Sequence, residues 1–375
     1  MKKKLVIIFL GLCLAVLFLR GNAGWTTKRL TYNPGWSEYP DIAVDSNDYL
    51  HVIWDDYSPG NFEIFYKKST DGGATWITKR LTYNAGYSSR ASIAIDSNNH
   101  LHVVWEDSTF FPNEILYKKS TDGGTTWTTK RLTFNSGYSS NPNIATDSNN
   151  HLHVVWQDDS PGNDEIYYKK STDGGTSWST KRLTFNSGDS RNSSIAIDSS
   201  DNLHLVWYDY SPGNCEIYYK KSTDNGASWT TKRLTFNWGS SYFPSIAVDS
   251  SDNLHVVWAD ISYANHEICY KKSTDSGATW TNRRLTYNFG YSSVPSIADD
   301  TNGNLYVVWP DDTPGNNEIY CKWSMDGGVT WTSERLTYNS GDSENPAIAA
   351  DSNNHIHILW EDDSPSNFEI YYKQK

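Results

Sequence analysis

Paired carboxylates recur along this chain at a spacing that could support glycoside chemistry. Asp56 follows a predicted strand that ends at Trp54, and Glu63 begins the next predicted strand. Across a short hairpin the two carboxylates would lie roughly 5–9 Å apart, as they do in glycosidases. Alternatively, Asp caps the loop and Glu pairs with a strand Lys or Arg. We expect this structural role, with ligand or cation binding as the alternative. The same positions recur at Asp56, Asp107, Asp158, Asp209, Asp260, Asp311 and Asp362, and at Glu63, Glu114, Glu165, Glu216, Glu267, Glu318 and Glu369.

Aromatic side chains that differ between the repeats are the candidates for ligand contact. Aromatic rings beside Asp, Asn and Ser can stack on sugar faces while the polar groups bind hydroxyls. Packing between repeats is the alternative explanation for these rings. The candidate ligand-binding residues, which include two arginines and three aspartates, are Trp36, Tyr39, Asp56, Tyr87, Arg90, Tyr138, Asp158, Arg191, Asp209, Trp238, Tyr242 and Tyr291.

Histidine occupies one strand position in most repeats, and some repeats carry a second histidine two residues earlier. The pairs are His100 with His102, His151 with His153, and His355 with His357. Two histidines on one strand face could hold zinc, but we expect a hydrogen-bonded pair. The turns at 198–202 and 300–304 resemble calcium loops, yet they lack the closing Glu of an EF-hand. We therefore expect no metal and no cofactor, with calcium left as a possibility.

These residues are positioned by an internal repeat of 51 residues. Tryptophan marks every copy, at Trp25, Trp76, Trp127, Trp178, Trp229, Trp280 and Trp331. Each copy contains four short segments rich in β-branched and aromatic residues, at 41–45, 50–54, 63–68 and 78–82 in the first. Turn residues separate the segments, and no helical periodicity is present.

Seven copies of four antiparallel strands predict an all-β, seven-bladed β-propeller over residues 24–375. One four-stranded sheet cannot bury both of its faces, whereas blades stacked around an axis can. The chain ends after a third strand, and residues 25–31 read as a fourth strand without a blade before it. We predict that this N-terminal strand closes the ring.

The turn between the third and fourth strands reads Ser-x-Asp-x-Gly-x-x-Trp in six copies, beginning at Ser69. This pattern resembles the Asp box, or BNR repeat, of the sialidase-like β-propeller superfamily. The Asp can accept turn amides, the Gly permits positive φ, and the Trp packs between sheets, so we expect a structural role. The resemblance implies that the boxes face away from any active site. The box residues are Asp71, Asp122, Asp173, Asp224, Asp275 and Asp326, with Trp76, Trp127, Trp178, Trp229, Trp280 and Trp331.

The same resemblance implies sialidase chemistry, but the residues for it are not matched. Sialidases of this superfamily have six blades, three arginines that hold the substrate carboxylate, and a Tyr nucleophile paired with Glu. The chain contains no Arg-Ile-Pro motif, and only Arg90 and Arg191 fall in the predicted upper loops. Near-identical copies suit multivalent binding better than a single catalytic centre. We predict a non-catalytic module for glycans or a protein partner, with an exo-sialidase-like glycoside hydrolase as the alternative.

The N-terminal residues indicate export. A basic start at 2–4 precedes an apolar run at 5–19, so we predict a signal peptide at 1–23, with an uncleaved anchor as the alternative. The whole chain carries a net charge of −12. Because the predicted leader holds four basic and no acidic residues, the rest carries −16. This charge argues against nucleic-acid partners. We expect a secreted or cell-surface monomer that is not inserted in the membrane after cleavage.

Overall fold

A computed structural model describes residues 24–263 and 265–375, and it confirms the seven-bladed β-propeller. The described residues form 28 strands in seven four-stranded antiparallel sheets. The predicted signal peptide at 1–23 lies outside the described residues. No helix in the described part of the chain has the length and apolar character needed to cross a membrane.

Each blade consists of an inner, a second, a third and an outer strand. The inner strands are β2 (Ser37–Val44), β6 (Ser88–Ile95), β10 (Ser139–Thr146), β14 (Ser190–Ile197), β18 (Ser241–Val248), β22 (Ser296–Asp299) and β26 (Ser343–Ala350). The second strands are β3 (Leu50–Asp56), β7 (Leu101–Asp107), β11 (Leu152–Asp158), β15 (Leu203–Asp209), β19 (Leu254–Asp260), β23 (Leu305–Asp311) and β27 (Ile356–Asp362).

The third and outer strands complete each sheet, so that blade 1 runs from β2 to β5 and blade 7 holds β26, β27, β28 and β1. The third strands are β4 (Glu63–Ser69), β8 (Glu114–Ser120), β12 (Glu165–Ser171), β16 (Glu216–Ser222), β20 (Glu267–Ser273), β24 (Glu318–Ser324) and β28 (Glu369–Gln374). The outer strands are β5 (Ile77–Arg80), β9 (Thr128–Arg131), β13 (Ser179–Arg182), β17 (Thr230–Arg233), β21 (Thr281–Arg284), β25 (Thr332–Arg335) and β1 (Thr26–Arg29).

The second strand of each blade lies in the core. Every residue of β3 is buried, whereas three of the four residues of β5 are exposed. A central strand with both faces covered by neighbouring blades must bury both sets of alternating side chains. This explains why the second strands are apolar almost throughout, as in Leu-His-Val-Ile-Trp at the start of β3.

The N-terminal strand closes the ring, as the repeat predicts. Strand β1 pairs with β28 in an antiparallel register that sets Thr26 opposite Gln374 and Arg29 opposite Tyr371. The backbone bond from the Leu30 amide to the Ile370 oxygen, at 2.7 Å, extends the pairing. The two ends of the described chain are therefore joined by the same ladder that builds the other blades.

The Asp boxes brace their own turns. The Asp71 Oδ1 accepts the Thr75 amide at 2.8 Å, its Oδ2 accepts the Thr75 hydroxyl at 2.6 Å, and the Trp76 indole donates to the Gly73 oxygen at 3.0 Å. These bonds lower the pKa of Asp71 to about 2. The Asp therefore stays charged and bonded to its own turn.

A tyrosine of each preceding blade packs beneath the box. The Tyr117 ring lies edge-on to Trp178, with centroids 5.4 Å apart, and its hydroxyl bonds the His102 Nδ1 at 2.8 Å. A Cβ added to Gly175 would lie 2.6 Å from Tyr117 Cε1. Glycine is thus required here by its neighbour in the adjoining blade as well as by its φ of +91°.

The tyrosine is absent at the one blade boundary where the sequence has no Asp box. Blade 6 carries Cys321 in place of the tyrosine and Tyr306 in place of the histidine. Trp25 and Trp323 pack beside the buried core there. Cys321 is buried, and it is a free thiol like Cys215 and Cys269.

The contact beneath the box predicts a large stability loss for Gly175→Ala. The substitution combines positive-φ strain with overlap against the Tyr117 ring. We expect overlap alone to lower the free energy of unfolding by about 1–3 kcal/mol, measured by chemical denaturation. Gly162→Ala is the control, because Gly162 has a φ of +107° with no atom within 4 Å. Equal losses in the two variants would contradict the packing role.

Candidate functional site

The face opposite the Asp boxes, here called the upper face, carries a cavity on the propeller axis. It is the end at which the inner strands begin and the second strands finish. The cavity has a volume of about 540 Å³ and is lined by the first halves of the inner strands. We call it the axial cup.

One residue from each blade forms the wall of the axial cup. All seven have positive φ, between 41° and 52°, and in six blades a register shift of the inner strand occurs at this position. Such a bulge turns a side chain out of the regular strand alternation, here toward the cup. Left-handed backbone at residues other than Gly costs of order 1–3 kcal/mol each. The wall residues are Tyr39, Arg90, Asn141, Asn192, Phe243, Val294 and Asn345.

Buried polar side chains hold four of these residues in place. The amide of Tyr39 donates to Glu361 Oε2 at 2.6 Å, and the amide of Arg90 donates to Asp55 Oδ2 at 2.7 Å. Glu106 and Gln157 accept the amides of Asn141 and Asn192 in the same way, each at 3.0 Å. Each acceptor belongs to the preceding blade, so the bonds also join neighbouring blades.

The other side of the axial cup is apolar. At the positions equivalent to the acceptors Asp55, Glu106, Gln157 and Glu361, blades 4 to 6 carry Tyr208, Ala259 and Pro310. Phe243 and Val294 form the wall beside them. The Tyr208 ring packs on Tyr242 at a centroid distance of 5.5 Å. The cup thus has a polar half and an apolar half, which suits a ligand with both kinds of surface.

Strongly perturbed carboxyls lie behind the wall of the polar half, where they accept the wall amides. Burial raises the pKa of Asp55 well above its usual value and raises that of Glu361 to about 8. Burial also raises the pKa of Glu106, which lies 3.9 Å from the Arg90 guanidinium. Glu361 is therefore held as a neutral acid near pH 7. The Oδ1 of Asp55 is buried and has no hydrogen-bond partner.

Arg90 is the only basic residue that lines the cup in the described part of the chain. Its Nη1 donates to Asn141 Oδ1 at 2.6 Å, and its guanidinium lies 5.1 Å from the centre of the Tyr39 ring. Arg191 does not join it. Its Nε lies 2.5 Å from Asp164 Oδ2, and its Nη2 lies 2.9 Å from Asp189 Oδ2.

The three candidate aspartates lie beneath the surface. The Asp56 Oδ2 accepts the Trp54 indole at 2.9 Å and the Ser37 hydroxyl at 3.1 Å, while Oδ1 accepts the Ser58 amide at 2.9 Å. Asp158 and Asp209 repeat these bonds and are fully buried. Their carboxylate oxygens accept hydrogen bonds from neighbouring strand and loop residues of the same blade.

The remaining aromatic candidates lie on the upper face outside the cup. Trp238 is fully exposed, and Tyr242 is partly buried between Tyr208 and the stacked ring of His266. The other four are exposed in the loops that precede the inner strands: Trp36, Tyr87, Tyr138 and Tyr291. Arg90 and Arg191, which are predicted to lie in upper loops, lie inside β6 and β14, because the bulge in each inner strand hides the strand pattern. Tyr39 and Tyr242 likewise lie inside the inner strands β2 and β18.

A ring of seven exposed aromatic residues surrounds the upper face, and the sequence analysis did not single it out. Each is 72–74% exposed and follows the Arg-Leu-Thr of an outer strand. We call this ring the aromatic rim. Its members are Tyr32, Tyr83, Phe134, Phe185, Phe236, Tyr287 and Tyr338. Their signal in the sequence is an aromatic residue that directly follows Arg-Leu-Thr in every repeat.

Each rim ring is mounted on an arginine. The Arg182 guanidinium lies 4.7 Å from the Phe185 ring centre and 2.8 Å from the buried Glu165 carboxylate. The same arrangement occurs in all seven blades. The arginine is fixed by its ion pair, so the ring on it is held in a defined orientation with its outer side exposed.

Three asparagines of the axial cup are also absent from the candidates predicted from the sequence, although they share the 51-residue spacing of Tyr39 and Arg90. They are Asn141, Asn192 and Asn345.

The raised pKa of Glu361 predicts a pH-dependent stability. A glutamate in an unfolded chain titrates near about 4.3. With a folded pKa of about 8, the favourable contribution is complete at low pH and is lost as the pH rises toward 8, at most about 1.4 kcal/mol per pH unit. Glu361→Gln should lessen this loss, measured as unfolding free energy between pH 5 and 8.

Gln157 supplies the matched comparison for this variant. Gln157 occupies the equivalent position and accepts equivalent bonds, so glutamine is compatible with the fold. Gln157→Glu should steepen the decline in stability with pH. Parallel pH profiles for the two variants and the unsubstituted protein would refute the assignment.

Comparison with known proteins places this geometry in a family. The family model described as a BNR repeat-like domain matches residues 134–358, more than half of the chain. A stretch of 147 residues is 27% identical to Invertase 1 of Saccharomyces cerevisiae, covering 39% of this chain and 23% of the invertase.

Solved structures share the architecture at low identity. A Trypanosoma rangeli sialidase superposes with a TM-score of 0.57 and 12% identity, covering 94% of this chain and 59% of the sialidase chain. A polysaccharide lyase, an ulvan lyase, superposes with a TM-score of 0.66 and 10% identity, covering 92% and 95% of the two chains. These likenesses show the fold, and the Asp-box resemblance is confirmed. The chain belongs to the BNR repeat-like family and folds as a sialidase-like seven-bladed β-propeller.

Proposed function

We propose that this chain is an exported, non-catalytic module that binds neutral glycans multivalently through its aromatic rim. The observation that supports this proposal most directly is the presence of seven equivalent exposed rings, each stacked on a fixed arginine. An aromatic residue is retained at this position in all seven repeats although its ring is 72–74% exposed. The signal-like segment at 1–23 supports a secreted or cell-surface location.

The chemistry of a rim site favours a sugar. A ring with one face on a guanidinium offers its other side to the apolar face of a pyranose, and polar groups nearby can bind hydroxyls. Each such contact is small and exposed to water. Weak equivalent sites gain affinity when one polymer occupies several of them, by about 10²–10⁴ over a single site.

The charge of the protein selects among glycans. Residues 24 onward carry a net charge of −16, and each rim arginine is already neutralised by a buried glutamate. Like charges oppose association, so an anionic polymer would bind less well than a neutral one. The negative charge of the protein therefore favours neutral polysaccharides over sialylated or sulfated chains.

The rim predicts a stepwise loss of avidity. Phe134→Ala, Phe185→Ala and Phe236→Ala combined should lower avidity for a neutral polysaccharide at least about tenfold, and replacing all seven rings should abolish it. Binding is measured on a glycan array printed with neutral and sialylated oligosaccharides, followed by titration with the best polysaccharide.

Ile77→Ala is the control, because Ile77 is equally exposed but lies at the Asp-box end of its outer strand. It should bind like the unsubstituted protein. Retention of binding by the seven-fold variant would refute the rim as the site. Loss of binding on Arg90→Ala alone would place the ligand in the axial cup instead.

A glycoside hydrolase of the sialidase type is the second candidate, because Arg90, Tyr39 and buried acids meet at the axial cup. Several proteins of similar fold are named as sialidases. The geometry favours binding over catalysis. Asp41 is the only carboxylate lining the cup in the described chain, and it accepts the amides of Ile42 and Ile93. No carboxylate pair faces the cavity there.

A direct assay separates the two candidates. The purified protein is incubated with a fluorogenic sialoside and with a panel of aryl glycosides between pH 4 and 8. We expect no turnover above that of an Arg90→Ala variant. Turnover that disappears in Arg90→Ala, while Arg191→Ala retains it, would make the cup a catalytic site and overturn the proposal.

A further inference from the structure

A cluster of metal-ligating side chains lies on the lower face, the end that carries the Asp boxes, at the boundary between blades 3 and 4. Asp147, His151 and His153 are the one group in the described chain whose carboxylate and imidazole atoms all lie within 4.8 Å of one another. Asp147 Oδ2 lies 2.7 Å from His151 Nδ1 and 3.3 Å from His153 Nε2. Asp147 and His153 are buried, and His151 is partly exposed.

A fourth ligating side chain comes from the next blade. Asn225 belongs to the Asp box of blade 4, and its Nδ2 lies 3.2 Å from His151 Nδ1. The other amide atom, Oδ1, is buried and has no hydrogen-bond partner. Four of the other five boxes have glycine where Asn225 stands, and the fifth has Ser276. The asparagine side chain is therefore not needed to form the turn.

Two hydrogen-bond donors face each other in this cluster. His151 Nδ1 must carry a proton to donate to Asp147 Oδ2, yet Asn225 Nδ2, also a donor, faces the same atom. Half a turn of the amide brings Oδ1 toward His151 instead. Once His151 Nδ1 has also lost its proton, as metal binding requires, the four side chains can present lone pairs to an ion that lies between them.

The separations suit a tetrahedral ion. Zinc bonds to nitrogen and oxygen at about 2.0–2.2 Å, which places neighbouring ligand atoms of a tetrahedron roughly 3.3 Å apart. Asp147 Oδ2 lies 2.7 Å from His151 Nδ1 and 3.3 Å from His153 Nε2, and the two histidine nitrogens lie within 4.8 Å of each other. The Asn225 amide group approaches His151 Nδ1 to 3.2 Å through its Nδ2. Two neutral imidazoles, one neutral amide oxygen and one negatively charged carboxylate are ligand types that zinc accepts.

Neighbouring groups hold the ligands in orientation. Asp147 Oδ1 accepts the amides of Asn149 and His151, at 3.0 and 2.8 Å, and this fixes the carboxylate. His153 Nδ1 lies 2.8 Å from the Tyr168 hydroxyl oxygen, which can accept a hydrogen bond from Nδ1–H when Nε2 binds metal. Lys170 donates to the Asn225 carbonyl oxygen at 3.3 Å and holds the box backbone.

The other repeats provide internal comparisons. Asp96 with His100 and His102, and Asp351 with His355 and His357, repeat the first three ligands. The boxes of the blades that follow them have Gly174 and Gly72 at the position of Asn225. Only blades 3 and 4 combine the second histidine with the asparagine.

We propose that Asp147, His151, His153 and Asn225 form a structural zinc site that links blades 3 and 4. The ion joins an inner hairpin to the Asp box of the next blade, at a boundary that elsewhere depends on packing and hydrogen bonds. From the sequence alone a hydrogen-bonded pair is expected at these histidines. Asn225 is 74 residues from His151 along the chain, and only the fold brings the two together. The site is independent of the rim and its glycan.

Zinc titration of the chelator-treated protein tests the site. Isothermal calorimetry with zinc chloride should show a single site, and metal analysis after gel filtration should find one ion per chain. Bound zinc should also raise the melting temperature. His151→Asn, which installs the residue found at this position in blades 4 to 6, should abolish the site. Asn225→Gly should weaken it by roughly 10- to 100-fold.

His100→Asn is the matched control, because it removes the same histidine where glycine replaces the asparagine. It should leave the stoichiometry, the affinity and the zinc-induced shift in melting temperature unchanged. Both His151→Asn and Asn225→Gly install residues that other repeats already contain, so both should fold. Full zinc binding by His151→Asn, or absence of binding by the unsubstituted protein, would overturn the proposal.

Discussion

Each Asp box rests on a tyrosine of the preceding blade, and this contact connects the fold from blade to blade. The tyrosine is fixed from behind by a histidine, which in turn meets an aspartate at the inner hairpin, as in Tyr66, His51 and Asp45. Burial lowers the pKa of His51 to about 4, so the imidazole stays neutral at physiological pH. Because Tyr372 makes the same contact with Trp76 of blade 1, the interaction that builds the ring also closes it.

The Asp box and the tyrosine beneath it recur together because the contact needs both partners. Where the box is missing, the tyrosine is replaced as well. Cys321 and Tyr306 stand at the single boundary that has no box. Positions outside the contact are free to vary. The axial cup is one such place, because its wall residues face a cavity, and there the seven copies diverge into a polar and an apolar half.

The two faces of the propeller therefore offer different chemistry. On the upper face, the rim keeps sevenfold equivalence, which suits many weak contacts with one polymer. The cup breaks that symmetry and places buried acids behind strained backbone. On the lower face, one boundary gains a histidine and an asparagine that the frame does not need. The proposed glycan and zinc sites both include side chains that the Asp-box and strand contacts do not use.

The number of blades, the four strands of each blade and the closing strand could be predicted from the amino-acid sequence alone. This was possible because a 51-residue period and alternating apolar residues are properties of the chain alone. The sequence also placed Tyr39 and Arg90 on the upper face. Which side chains come into contact with one another depends on the tertiary structure. The strand bulges direct Asn141 and Asn345 toward the cup, and Asp56 is buried and not available to a ligand. The packing of blade 4 against blade 3 brings Asn225 next to His151. These contacts join residues of different repeats, and their distances depend on how sheets pack, which no local pattern encodes.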